Sequence, residues 1–269
     1  MARKFMKGTE AIAEAAVRSG CRFFAGYPIT PQNEIPEYLA RRLPEVGGAF
    51  VQGESEVASI NMVYGSAGTG TRAMTSSSSC GISLMSEGIS FCASARLPMV
   101  YVNVQRGGPA IGTIQPAQQD YTQATKASGN GGFQMMVFSP ATVQEAVDMT
   151  YAAFDYAQRD RNPVLILTGY GICGRIAKSA VSRLRGEGYK VGFVRPKTLN
   201  PFPYDTYDVL DYGRVRAILD VEMSIPAQMV RDVELAVSRR CPIETCLHAG
   251  GEIMGREEVI RAAKALLDR

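Results

Sequence analysis

The sequence predicts an α/β protein, a mainly parallel sheet with helices on both faces followed by a smaller second α/β unit. Three observations carry this. Short apolar runs alternate with amphipathic stretches over the first two-thirds of the chain. The run Met99–Val104 is almost wholly apolar, as a strand covered on both faces should be. Glycines and prolines such as Gly20 and Pro44 fall where the periodic stretches stop.

Taken in order, a helix is expected over 9–19, with Ile12, Ala15 and Ala16 on one face and Gly20 as its stop. A strand over 23–26, a helix over 35–43 and a strand over 49–52 follow. The next helix, 57–67, places Val57, Ile60, Val63, Tyr64 and Ala67 at helical spacing. A strand over 72–75, a helix over 82–94 and the strand Met99–Val104 complete this run. Residues 105–132 break the rhythm with six glycines and two prolines around a helical patch at 117–126. A long glycine-rich connection inside a compact domain is usually functional or mobile. Strand 135–138, helix 142–158 (capped by Ser139 or Thr142) and strand 164–168 then resume the pattern. The second unit is expected to hold a helix at 175–185, a strand at 190–194 and a proline-rich turn at 196–203. A short helix at 204–211, a strand at 215–221, a helix at 227–238, a strand at 243–247 and a helix at 257–267 close it.

Composition excludes several classes. With 46% apolar and 20% charged residues among 269, the chain reads as an ordinary soluble globular protein. The net charge of +3, with no long Lys/Arg run, gives no nucleic-acid or membrane surface. No apolar run approaches a membrane span, and no apolar stretch follows the basic N-terminus as in a signal peptide, so the cytoplasm is expected. None of the six cysteines forms a C-x-x-C pair, and His248 is the only histidine. A metal or iron–sulfur site built by this chain alone is therefore not expected. His248 reads as a loop or packing residue.

In parallel sheets ligands bind at the carboxyl ends of the strands. After the first strand comes Gly26-Tyr-Pro-Ile-Thr-Pro-Gln-Asn33, in which two prolines stiffen the backbone around Thr30. This turn is either a rigid connector into the next helix or a loop that presents a hydroxyl. The second strand delivers Glu54 and Glu56, the third the serine run 76–79 at a helix entrance, and the fourth Arg106. A helix N-terminus favours anions, and arginine suits bidentate capture of a carboxylate. The alternative for Arg106 is a salt bridge that shapes the long loop. The glycine cluster at 65–71 follows a helix and precedes a strand, so it is a helix stop rather than a phosphate loop.

These residues carry a family resemblance. Gly26-Tyr-Pro-Ile-Thr-Pro-Gln-Asn-Glu-Ile-Pro-Glu-Tyr38, Arg41-Arg-Leu-Pro-Glu-Val-Gly-Gly48, Glu54-Ser-Glu-Val-Ala58, Met74-Thr-Ser-Ser-Ser-Ser79 and Val102-Asn-Val-Gln-Arg-Gly-Gly-Pro109 resemble the α subunit of the 2-oxoacid:ferredoxin oxidoreductases. Val143-Gln-Glu-Ala-Val-Asp148, Arg195-Pro-Lys-Thr-Leu-Asn-Pro-Phe-Pro203 and Val221-Glu-Met-Ser-Ile-Pro-Ala-Gln-Met229 extend the likeness toward the C-terminus. It is similar above all to the branched-chain (2-oxoisovalerate) members.

The resemblance implies a thiamine-diphosphate pyrimidine-binding domain over 1–170 and a transketolase C-terminal-like domain over 171–269. Glu56 matches the glutamate that hydrogen-bonds N1′ of the aminopyrimidine, with Tyr27 and Pro28 also at the cofactor. Glu54 competes for that role, but the distance to Gly65 within the motif favours Glu56. Thr30 and Arg106 match positions that hold the 2-oxoacid, and Gln119 and Asp120 are expected to help close the pocket. The implied reaction is CoA-dependent oxidative decarboxylation with electrons passing to ferredoxin. A β subunit would hold the diphosphate, Mg2+ and a [4Fe-4S] cluster, with γ and ferredoxin-like δ subunits alongside. The rival expectations are the β chain of a lipoamide-linked 2-oxoacid dehydrogenase and a non-catalytic scaffold subunit. One departure stands out. The stretch Pro163-Val-Leu-Ile-Leu-Thr168 runs directly into Gly169-Tyr-Gly-Ile-Cys-Gly-Arg175, where the resemblance implies a long connector and the second domain's first strand between them. Either the chain carries an internal deletion or the sequence omits a stretch of the natural protein.

Overall fold

The computed structural model describes residues 4–126 and 128–268. Its elements in order are α1 (Gly8–Arg18), β1 (Phe23–Gly26), α2 (Glu34–Glu45), β2 (Ala49–Gln52), α3 (Glu56–Gly68), β3 (Ala73–Ser77), α4 (Ser79–Ser94), β4 (Met99–Val104), α5 (Tyr121–Thr125) and β5 (Met136–Phe138). There follow α6 (Val143–Asp160), β6 (Val164–Thr168), α7 (Gly171–Gly186), β7 (Thr198–Asn200), α8 (Asp205–Asp208), β8 (Ile218–Glu222), α9 (Val230–Val237), β9 (Ile243–Leu247) and α10 (Arg256–Leu267).

Seven strands form one sheet in the order β2-β1-β3-β4-β6-β5-β7. The first six are parallel, and β7 pairs antiparallel with β5. Helices α1, α2 and α6 pack on one face, where Ile12, Phe24, Leu39, Val100, Phe154 and Ile166 share a core. Helices α3 and α4 cover the other face around Ile60, Met85, Ile89, Tyr101 and Leu165. The neighbours β4 and β6 are buried along nearly their whole length, which explains their continuous apolar sequence. Thr142 is the cap of α6, its side chain accepting from the Glu145 N–H, so Ser139 is not.

The second unit differs from its sequence expectation. Among the described residues its sheet has only β8 and β9, parallel, with α7 and α10 packed around Cys173, Leu184, Met254 and Ile260. Residues 190–194 form no strand. Their alternation suits a strand, but a strand exists only where a neighbour takes its hydrogen bonds. The proline-rich stretch 196–203 is not all turn, because β7 lies inside it and joins the first sheet. The helical patch at 117–126 shrinks to α5.

Gln118 ties the two units together. Its N–H donates to the Met223 carbonyl at 3.0 Å, its Oε1 accepts from the Met223 N–H at 2.9 Å, and its Nε2 donates to the Tyr170 carbonyl at 2.6 Å. The Tyr121 hydroxyl adds a bond to the buried Asp232 at 2.5 Å.

Candidate functional site

Connections from β1 and β3 leave in opposite directions, toward β2 on one side and β4 on the other. Such a switch point opens a crevice at the carboxyl ends of the two strands. The turn after β1, the start of α3, the start of α4 and the segment after β4 all converge there.

Gln32 pins the turn. It is fully buried, its Nε2 donates to the Tyr27 carbonyl at 3.1 Å, and its Oε1 accepts from Ser76 Oγ on β3 at 2.5 Å. The exposed residues Tyr27, Pro28 and Thr30 are thus held at the lip of the crevice. The Thr30 carbonyl accepts from Arg106 Nη1 at 3.0 Å, whereas its hydroxyl makes no bond among the described residues.

Glu56 opens α3, behind the cap Ser55, whose side chain accepts from the Ala58 N–H at 3.1 Å. Glu56 is only 5% exposed, yet its carboxylate accepts no hydrogen bond from any described residue. Glu54, two positions earlier, is exposed. Across from Glu56 stands Gly81 on α4. A Cβ there would lie 2.6 Å from Glu56 Oε1 and collide with Ser77 Oγ. Ser77 Oγ, Ser78 Oγ and Thr75 Oγ1 are buried without partners. A buried carboxylate beside unpaired hydroxyls costs free energy unless something else supplies hydrogen bonds.

Arg106 is 7% exposed, and no carboxylate pairs with it among the described residues. Its Nη2 donates to Cys80 Sγ at 3.1 Å, its backbone N–H to Ser79 Oγ at 3.1 Å, and its Nε has no partner. A buried guanidinium held in this way suits an anionic ligand.

Gln119 and Asp120 are tied to the segment that carries Arg106, through Gly108 and through Ser79, whose hydroxyl also bonds the Arg106 backbone. Gln119 Oε1 accepts from the Gly108 N–H at 2.8 Å. Asp120 Oδ2 accepts from Ser79 Oγ at 2.6 Å and from Asn103 Nδ2 at 2.8 Å. Burial raises the Asp120 pKa despite these two bonds. Sequence reasoning passed over Gln32, Gly81 and Asn103. Gly81 carried one signal, a glycine in the first turn of a helix directly after a serine run. His248 lies in the second unit, its Nδ1 3.2 Å from Glu258 Oε2. Among the described residues no group of three or more His, Cys, Asp or Glu side chains could hold a metal ion, and no helix is long and apolar enough to cross a membrane.

The family pattern "Pyruvate flavodoxin/ferredoxin oxidoreductase, thiamine diP-bdg" matches residues 14–184, well over half of the chain. The chain belongs to this 2-oxoacid:ferredoxin oxidoreductase family. A second pattern, "Pyruvate:ferredoxin oxidoreductase core domain II", matches residues 164–259. Among family members, the ketoisovalerate oxidoreductase subunit VorB of Methanothermobacter thermautotrophicus is 36% identical over 343 aligned positions, covering 97% of each chain. The 2-oxoglutarate synthase subunit KorA of Methanocaldococcus jannaschii is 44% identical over 164 residues, 61% of this chain and 45% of that one. In fold, the chain matches a solved 2-oxoglutarate:ferredoxin oxidoreductase from Magnetococcus marinus with a TM-score of 0.89 at 22% identity. That match takes in 97% of this chain and 65% of the other.

Proposed function

We propose that this chain is the α-type subunit that holds the pyrimidine end of thiamine diphosphate and the 2-oxoacid. The observation that carries the proposal is Glu56, a buried carboxylate with no protein partner, facing a glycine that leaves room at its oxygen. In this reading the Glu56 carboxyl hydrogen-bonds N1′ of the aminopyrimidine and exchanges a proton with it. When bound, thiamine diphosphate supplies the carbanion that attacks the keto carbon and allows CO2 to leave.

Arg106 neutralises the 2-oxoacid carboxylate, and the Thr30 hydroxyl donates to the adjacent oxygen. Tyr27 and Pro28 cover the cofactor at the crevice lip, while Gln119 and Asp120 hold the loop that aims Arg106. The overall reaction is 2-oxoacid + CoA + two oxidised ferredoxins giving acyl-CoA + CO2 + two reduced ferredoxins + H+. The substrate is a branched-chain 2-oxoacid such as 2-oxoisovalerate, supported by the VorB likeness over nearly the whole of both chains. A β subunit carrying the diphosphate, Mg2+ and a [4Fe-4S] cluster, with γ and ferredoxin-like δ subunits, completes a cytoplasmic complex. The two domains divide between residues 170 and 171.

The test is the anaerobically purified complex, assayed for CoA-dependent viologen reduction against branched, aromatic and dicarboxylic 2-oxoacids. Glu56→Gln should lower kcat by a factor on the order of 10² to 10⁴ without loss of assembly. Undiminished turnover would overturn the assignment.

A further inference from the structure

The two-stranded sheet of the second unit has an open edge beside a cleft. β8 pairs with β9 on one edge and has no strand partner on the other among the described residues. The open edge faces a cleft of about 890 Å³, lined by Ala177, Leu184, Val191, Val194, Leu219 and Val221 among others. Apolar side chains gathered in a cleft open to solvent mark a surface for association. An edge strand's N–H and C=O groups, moreover, are a template for another strand.

The far wall of the cleft is residues 190–194, Lys-Val-Gly-Phe-Val, which read as a strand in sequence but form none. Phe193 and Val194 there are 37% and 38% exposed. Both sides of the cleft therefore present strand-forming chain with nothing between them.

Relatives of the chain are longer over this part. Alignment with VorB needs 343 positions against 269 residues here, so at least 74 of them (343 less 269) meet no residue of this chain. The two family patterns both claim residues 164–184, a single copy of β6 and α7. β6 is committed to the first sheet between β4 and β5, so it cannot also pair with β8.

Polar groups in the cleft define the chemistry of its occupant. Asp220 is 4% exposed, and its Oδ2 has no hydrogen-bond partner. Lys190, Arg214 and Arg216 also line the cleft. A segment with an apolar centre, a hydrogen-bonding group opposite Asp220 and acidic flanks satisfies all of these.

We infer that the cleft is a slot for an extended polypeptide strand of this kind, supplied by a second chain and inserted between β8 and residues 190–194. The occupant corresponds to the stretch that VorB has and this chain lacks. Strand addition of this type draws affinity from main-chain hydrogen bonds and specificity from alternate side chains.

The experiment uses the full chain and synthetic peptides tiled across the part of Methanothermobacter thermautotrophicus VorB that faces the alignment gap, with scrambled versions as controls. One tile should bind, and it should slow amide exchange at least tenfold both in β8 and across residues 190–194. Ala177→Trp fills the cleft and should weaken that binding at least tenfold. Val194→Pro, at an exposed position on the far wall, should weaken it as well and covers the case in which the tryptophan variant does not fold. The inference fails if no tile protects β8, or if the folded variants bind the tile as well as the unaltered chain. It also fails if sedimentation shows a dimer whose β8 amides are already protected without peptide, since a second copy would then be the occupant.

Discussion

Gly81 and Glu56 face each other so closely that a Cβ on the glycine would stand 2.6 Å from the carboxylate Oε1. α4 presents this glycine in its first turn, and α3 presents the carboxylate in its own. The space between two helix entrances is thus set by one missing methyl group. Gly81→Ala should push Glu56 out of position, at a cost of about 1–3 kcal/mol for overpacking. The expected result is at least a tenfold weaker response to added thiamine diphosphate in the assembled complex, read by titration of activity. An unchanged titration would show that Glu56 does not need this clearance.

Arg106→Lys keeps the charge but loses the planar fork that reaches both the Thr30 carbonyl and Cys80. The KM for the 2-oxoacid should rise tenfold or more, with a smaller change in kcat. Steady-state kinetics against 2-oxoacid concentration checks this, and an unaltered KM would place the substrate carboxylate elsewhere.

Gln32→Ala removes the side chain that joins the Tyr27 carbonyl to Ser76. Both groups are left without that partner, a loss of about 1–3 kcal/mol. Thermal unfolding of the chain should move down by several degrees. If the melting temperature holds, the prolines alone keep the turn in place.

Glu145 gives a pH dependence. Burial pushes its carboxyl up, but the Ala141 N–H and the charges of Arg195 and Lys197 outweigh this and hold it below the ordinary 4.5. Because the folded state binds the proton less tightly than the unfolded one, the stabilisation is present above about pH 4.5 and is lost as pH falls below it. Glu145→Gln should lower the melting temperature at pH 7 and flatten its fall under acid. Unfolding curves between pH 3 and pH 7 measure both, and equal slopes for the two proteins would refute the assignment.

By itself, the sequence determined the strands at 23–26, 49–52, 99–104, 164–168 and 243–247, whose ranges coincide with those observed. Each is bounded by chain breakers and the first four are mostly apolar runs, a signal contained within their own residues. It also determined which residues gather at the strand ends, because a parallel sheet places every such loop on one edge. Only the tertiary structure decided what depends on distant partners. Gln32 meets Ser76 across 44 positions, and Gly81 meets Glu56 from a different helix. Residues 190–194 have a strand's sequence without a strand's neighbour, and β7, three residues in a proline-rich stretch, exists because β5 offers it an edge. Hydrogen bonds between strands and clearances between helices belong to pairs of segments, so no single segment's sequence contains them.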